Sequence, residues 1–161
     1  FAKGRWYENE EYYAKNRNYR VPMICVGGTM DGGDRYPIAT EEGYQNFTIW
    51  MNHIVKVANY KPLTFEQSVE LVEKTQDMSK KVFGFYFQKT FKIHMEGIDW
   101  FCGDYFDEKG NTVARFVSGD GLPHGQTKYH APIIWDFIKH FSRDTITGES
   151  IYTPIVIDGI R

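Results

Sequence analysis

Apolar positions along this chain follow two rhythms, and each change of rhythm marks an element. Val21-Pro22-Met23-Ile24-Cys25-Val26 is an unbroken apolar run closed by Gly27-Gly28. A short run without alternation suits a strand covered on both faces, as in a parallel sheet flanked by helices. Thr40-Glu41-Glu42 then opens a helix, with a hydroxyl at the cap and two acids facing the positive end of the helix dipole. Phe47, Met51, Ile54 and Val55 recur at helical spacing and carry that helix toward Tyr60. Lys61-Pro62 breaks the pattern, and Thr64-Phe65-Glu66-Gln67 has the form of a capping box for a second helix bearing Val69, Leu71 and Val72.

From Phe83 the period shortens. Residues 83–95 include alternating Phe/Tyr and Phe/Ile positions, a strand rhythm. Residues 98–106 and 112–117 read as two strands around Asp107-Glu108-Lys109-Gly110-Asn111, a hairpin turn sequence. After Ser118-Gly119-Asp120 comes the glycine-framed loop Gly121-Leu122-Pro123-His124-Gly125. Pro132 begins a last helix where its missing N–H costs nothing, with Ile134, Phe137, Ile138 and Phe141 as the buried face and Trp135 widening it. The first 20 residues, with Trp6, Tyr7, Tyr12 and Tyr13 among charged neighbours, read as a short helix and a loop. Beyond Asp144 the tail is irregular apart from Ile155-Val156-Ile157. The order predicts one α/β domain, a mostly parallel sheet flanked by helices with one β-hairpin.

Composition narrows the function. A chain of 161 residues can bury a sizeable single core. Aromatic residues reach 17%, which reads as core and helix-seam filling, an aromatic-lined cleft being the alternative use. A formal net charge of −2 leaves no electrostatic footprint for nucleic acid, and the basic stretch at residues 15–20 is short and solvated. No apolar run approaches the roughly 18 residues that span a membrane. The chain opens with Phe1, without a charged-then-apolar signal segment, and so reads as processed, excised or fragmentary. Its compartment, secreted or cytoplasmic, stays open. Cys25 and Cys102 make neither a CxxC pair nor a zinc spacing, and Cys25 reads as a buried free thiol.

Two residues carry the candidate chemistry. His124 stands in the glycine-framed loop between a predicted strand and a predicted helix, and its polar surroundings argue against core packing. Asp31 follows the buried strand as Val-Gly-Gly-Thr-Met-Asp. An acid and a histidine at the ends of two strands are two members of a hydrolytic triad: the imidazole moves a proton, and the carboxylate fixes its tautomer and stabilises the imidazolium. Asp34 competes with Asp31 for the second role, and either could instead be a turn residue in a Gly-rich loop.

The segments VPMICVGGTMDGGDRYP and SGDGLPHGQTKYHAPIIWDFIKHFSR resemble the C-terminal half of an α/β-hydrolase, in the manner of esterases related to polyhydroxybutyrate depolymerases and feruloyl esterases. In that group a V-P-hydrophobic strand runs into G-T-x-D, whose acid belongs to the triad. The group's histidine lies in a short H-G or H-x-W-P loop before a helix with a W-x-F-hydrophobic stretch. The resemblance covers about a quarter of the chain. It implies Asp31 as triad acid, His124 as triad histidine and Trp135-Asp136-Phe137-Ile138 as that helix. Gly125-Gln126 replace the Trp-Pro of depolymerase-like members, so polyester is not singled out among ester substrates.

The third triad member is missing from the pattern. No G-x-S-x-G nucleophile elbow occurs: Ser118 has Phe116 where the first glycine belongs, Ser150 has Tyr152 at the last, and Ser68 and Ser79 fall on helical patterns. In the resembled family the serine lies upstream of the acid. The expectation is therefore the C-terminal portion of a serine carboxylesterase, acting on small-molecule or polymeric esters and inactive alone. A missing N-terminal portion or self-association would complete it. No cofactor is called for. The five histidines form no HExxH, and residues 104–111 lack the alternating oxygens of a calcium loop. The alternative is a non-catalytic binding or interaction module, carbohydrate being one candidate ligand, which requires Trp and Tyr aligned on one exposed face and Asp31 far from His124.

Overall fold

The computed structural model describes residues 20–30, 41–77, 80, 83–123, 125 and 127–155. Strand β1 (Met23–Gly28) starts directly after Pro22, whose ring nitrogen could not have joined the ladder. With β2 (Lys89–Met95), β3 (Ile98–Phe106) and β4 (Thr112–Gly119) it forms a four-stranded sheet in the order β1-β4-β3-β2. β1 is parallel to β4, with Met23 opposite Ala114 and Gly28 opposite Gly119. The pairs β4–β3 and β3–β2 are antiparallel.

The sheet is thus mixed, which corrects the mostly parallel sheet expected from the apolar run. Connection length is the reason: the short turns from β2 to β3 and from β3 to β4 allow only antiparallel pairing, and the one long connection, residues 29–88 between β1 and β2, lets β1 lie parallel to β4. β2 turns into β3 through Glu96 and Gly97, both at positive φ (54° and 74°), the backbone twist that a two-residue hairpin favours. In the turn between β3 and β4, the Asp107 carboxylate accepts the backbone N–H groups of Lys109 and Asn111 at 2.9 and 2.8 Å. That turn is where the sequence puts it.

Helix α1 (Glu41–Ile49) continues as a π-helical stretch, Trp50–Val55. It stops short of Tyr60 because Lys56 adopts a left-handed φ of 53° and returns its N–H to the Met51 carbonyl. The capping box of α2 (Phe65–Lys74) is formed, with Gln67 N–H donating to Thr64 Oγ1 at 3.2 Å and Thr64 N–H to Gln67 Oε1 at 2.9 Å. Its buried face is Ser68 and Val72, and the Ser68 hydroxyl donates to the Gly84 carbonyl at 2.8 Å. Residues 83–88 are not strand: Gly84 turns at φ 66°, which interrupts the extended path that the alternating aromatics suggest.

Helix α3 (His130–Ile138) begins before Pro132, which still falls in the first turn where N–H groups have no helical acceptor. His130, Ile133 and Phe137 are its buried positions, while Trp135 is 62% and Ile138 42% exposed. The expected buried face is therefore rotated about the helix axis. The tail forms a small hairpin, β5 (Phe141–Arg143) with β6 (Ser150–Tyr152).

Alternation along the strands separates two apolar layers. Cys25 and Phe116 face Tyr44, Phe47, Met51, Val72, Phe83 and Phe85. Ile24, Val26 and Val117 face the other way, onto Trp100, Leu122, Ile133 and Ile134. Five rings, Phe47, Phe83, Phe85, Phe87 and Tyr105, surround Phe116 with centroids 5.2 to 6.2 Å away. Much of the aromatic content is thus spent on one face of the sheet. On the opposite face Arg115 of β4 makes a bidentate pair with buried Asp104 of β3, at 2.8 and 2.9 Å, with the rings of Phe91 and Phe137 at 5.0 and 5.6 Å from its guanidinium carbon. Among the described residues no helix is long and apolar enough to cross a membrane.

Candidate functional site

Because β1 and β4 are parallel neighbours, both chains leave the sheet at one edge. Asp31 and Asp34, beyond the end of β1, and His124, beyond the end of β4, lie outside the described residues, so the site is built here from what flanks them. The chain after β4 reverses at once: Leu122 N–H donates to the Gly119 carbonyl at 3.3 Å, and Gly121 adopts φ 71°. The buried Leu122 side chain seats this turn on the layer of Trp100 and Ile133.

The chain after β1 is stitched to that turn. Thr29 N–H donates to the Gly119 carbonyl and Met30 N–H to the Leu122 carbonyl, each at 3.0 Å. The Thr29 hydroxyl accepts the Gly121 N–H at 2.8 Å and donates to Asp120 Oδ1 at 3.2 Å. Asp120 N–H in turn donates to the Asp99 carbonyl at 2.8 Å, which ties the turn to β3 as well. Two glycines make the approach close enough. A Cβ on Gly28 would sit 2.0 Å from the Leu122 carbonyl oxygen, and one on Gly119 would sit 2.6 Å from Leu122 Cδ1 and 2.8 Å from the Trp100 ring. Met30, the last described residue before Asp31, is thereby bonded to Leu122, which precedes His124 by one proline.

Thr29, Asp120 and the close-approach glycines were not singled out from sequence. The signal available was the hydroxyl directly following Gly27-Gly28, a residue type that bonds nearby backbone at the ends of elements. Its partners lie about ninety residues away and leave no local trace.

Two further histidines belong to the same surroundings. Thr127 N–H donates to His130 Nδ1 at 3.0 Å, which assigns the ring proton to Nε2. That Nε2 is buried without a hydrogen-bond partner among the described residues, edge-on to Trp100 with centroids 5.8 Å apart. Burial lowers the His130 pKa and keeps the ring neutral, so it serves as packing beneath the turn and is closed to a reacting group. His94, near the end of β2, bonds Asp99 Oδ1 at 2.8 Å, while Lys92 reaches Asp99 Oδ2 at 2.9 Å. His94 and then Lys92 hold the Asp99 carboxyl below its usual range. His94 and Lys92 are solvent-exposed and Asp99 partly so, and the trio is a cross-strand ionic cluster of the hairpin.

Among the described residues no group of three His, Cys, Asp or Glu is placed to hold a metal ion. Among the described residues the arrangement ties the ends of two parallel strands together through backbone amides, carbonyls and the Thr29 hydroxyl. No protein-family model matches this chain, and no curated protein matches it.

Proposed function

We propose that this chain supplies the acid and the histidine of a serine carboxylesterase, with β1 and β4 as adjacent strands of an α/β-hydrolase sheet. Asp31 holds the His124 imidazole in one tautomer and stabilises its protonated form. His124 takes the proton of a serine hydroxyl as that oxygen attacks the ester carbonyl, then returns it to the departing alcohol. The serine comes from outside these 161 residues, since no G-x-S-x-G pentapeptide occurs within them. One observation carries the reading: the two loops leave adjacent parallel strands at the same edge and are joined there by backbone hydrogen bonds, Met30 to Leu122 and Thr29 to Gly119. Open α/β sheets collect their chemistry at that edge.

The test is the titration of His124, followed by its ring resonances in NMR. A carboxylate partner stabilises the charged imidazole, so Asp31→Asn lowers the His124 pKa by about 1–3 units. No shift in that variant, or an equal shift only in Asp34→Asn, refutes Asp31 as the partner. The chain by itself turns over no p-nitrophenyl ester; turnover that survives purification and is lost in His124→Ala would locate a nucleophile within it.

A further inference from the structure

The two outer strands of the sheet are guarded differently. In the order β1-β4-β3-β2, strands β1 and β2 stand at the edges. β2 carries Lys89, Lys92 and His94, and charged side chains, lysine above all, keep an edge strand from pairing with another chain. β1 reads Met23-Ile24-Cys25-Val26-Gly27-Gly28 and holds no charge. In a parallel ladder alternate residues turn both backbone groups toward the partner strand. Thr29 N–H meets the Gly119 carbonyl beside β4, so Ile24 and Val26 turn their N–H and C=O groups outward, where no described strand receives them. The side chains mark the same opening. Ile24 and Val26 pack in the α3 layer yet are only partly buried, whereas Phe116 and Val117 of the neighbouring β4 are wholly buried.

Helix α3 adds an apolar flank beside this edge. It lies over β1, and Asp136 on one of its flanks reaches Arg115 of β4, toward the middle of the sheet. At about 100° per residue, Ala131, Trp135 and Ile138 fall on the opposite flank, which points out past β1. All three are exposed. A two-fold axis perpendicular to the sheet beside β1 satisfies both features together. It pairs β1 antiparallel with its own copy, and it leaves both α3 helices on one face with these flanks turned toward each other. Such a contact is self-complementary, as a two-fold interface must be. An added strand alone would pair the backbone and leave the α3 flank bare; a copy covers both. We propose that the open edge of β1 and the Trp135 flank of α3 are the surface on which a second copy of this chain docks, joining two four-stranded sheets into one. The inference goes beyond the esterase reading and uses neither Asp31 nor His124.

The experiment follows the mass of the pure chain by analytical ultracentrifugation across a dilution series, with amide hydrogen exchange read at the low and high ends of the series. The expected result is a concentration-dependent dimer in which the Ile24 and Val26 amides exchange about tenfold more slowly, or slower still, than in the diluted chain. Amides of β2 that face away from β3 keep one rate throughout. Trp135→Lys places on the α3 flank the charge that β2 already carries, and it weakens the dimer by about tenfold or more. A chain that stays monomeric overturns the proposal; if its Ile24 and Val26 amides are protected all the same, another segment of the same chain occupies the edge. A dimer whose Ile24 and Val26 amides stay unprotected, or which Trp135→Lys leaves unchanged, is built on another surface and overturns it too. Trp135 is exposed, so lysine there spares the core. Should the urea midpoint of that variant nonetheless fall, Ile138→Lys is judged by the same comparison.

Discussion

Gly28→Ala offers the most direct probe of how the two loops are joined. A Cβ at this position meets the Leu122 carbonyl oxygen at 2.0 Å, its carbon at 2.5 Å and the Leu122 Cβ at 2.9 Å. The first two are backbone atoms, so no rotamer change relieves the clash. The turn at residues 119–122 must move away by about 1.4 Å to reach ordinary van der Waals separation. That movement takes the Met30–Leu122 bond, now 3.0 Å, and the Thr29–Gly121 bond, now 2.8 Å, beyond hydrogen-bonding range. Overpacking contributes about 1–3 kcal/mol and each lost bond about 0.5–1.5 kcal/mol. Alanine returns about 0.4–1 kcal/mol by restricting the unfolded chain. The net loss is about 1–6 kcal/mol, or roughly 2–24 °C in Tm for a chain of this size. Urea denaturation measures the stability, and hydrogen exchange at the Met30 and Gly121 amides shows whether the stitches have opened. Gly119→Ala is the control: its Cβ meets the tip of Leu122 and the Trp100 ring, side-chain atoms that can shift, so it is the milder change. A Gly28→Ala chain as stable as the parent, or with both amides still protected, would refute the close approach.

Three further outcomes follow from the core and its ionisable groups. Arg115→Met strands the Asp104 carboxylate, which is 2% exposed, and lowers stability by about 3–5 kcal/mol, whereas replacing Asp104 by Leu at the same time recovers most of the loss; equal stability of the single and double variants in urea would contradict this. Burial lowers the His130 pKa below its ordinary 6.5, so the unfolded chain takes up this proton first as pH falls. The contribution of the neutral ring is complete above pH 6.5 and is lost progressively below it, down to the folded-state pKa; His130→Asn, which keeps an acceptor for Thr127 N–H, flattens that part of the urea-midpoint profile. Burial pushes both cysteine thiols up to about 12, so neither reacts with a thiol reagent near neutral pH until denaturant is added, and rapid labelling of the native chain would show that these sites open.

Local features of the fold were legible in the sequence because their causes are local. Pro22 and the apolar run locate β1, Thr64 and Gln67 close their capping box, and Asp107 to Asn111 turn β3 into β4. The misread elements each turn on a tertiary preference. Phe83, Phe85 and Phe87 alternate like a strand, yet the chain bends at Gly84 to deliver their rings to Phe116. Trp135 and Ile138 look like core on a helical wheel, but α3 lies on the sheet through His130, Ile133 and Phe137. The candidate edge was legible only as two separate strand ends. That they are neighbours follows from β1 pairing with β4 across a crossover, and residues so far apart carry no periodic signal of each other.

The end of the sheet away from the candidate site is fastened by different chemistry. Arg20, just before β1, donates to the carbonyls of Val55 and Lys56, where the π-helical stretch ends, and pairs with Asp107 at 3.2 Å and Glu108 at 3.0 Å in the turn between β3 and β4. One guanidinium there joins a strand, a helix end and a turn through charge. At the opposite edge the fastening is backbone amide, carbonyl and one hydroxyl, with Asp120 the single charged member among the described partners. Ionic strength therefore distinguishes the two ends. At about 0.1 M salt, charges further apart than about 10 Å no longer feel each other, and exposed pairs such as Arg20–Glu108 weaken further as salt rises. Added salt speeds amide exchange around residues 107–111 while leaving that of Thr29 and Met30 unchanged, so one sheet has an end that ions can loosen and an end indifferent to them.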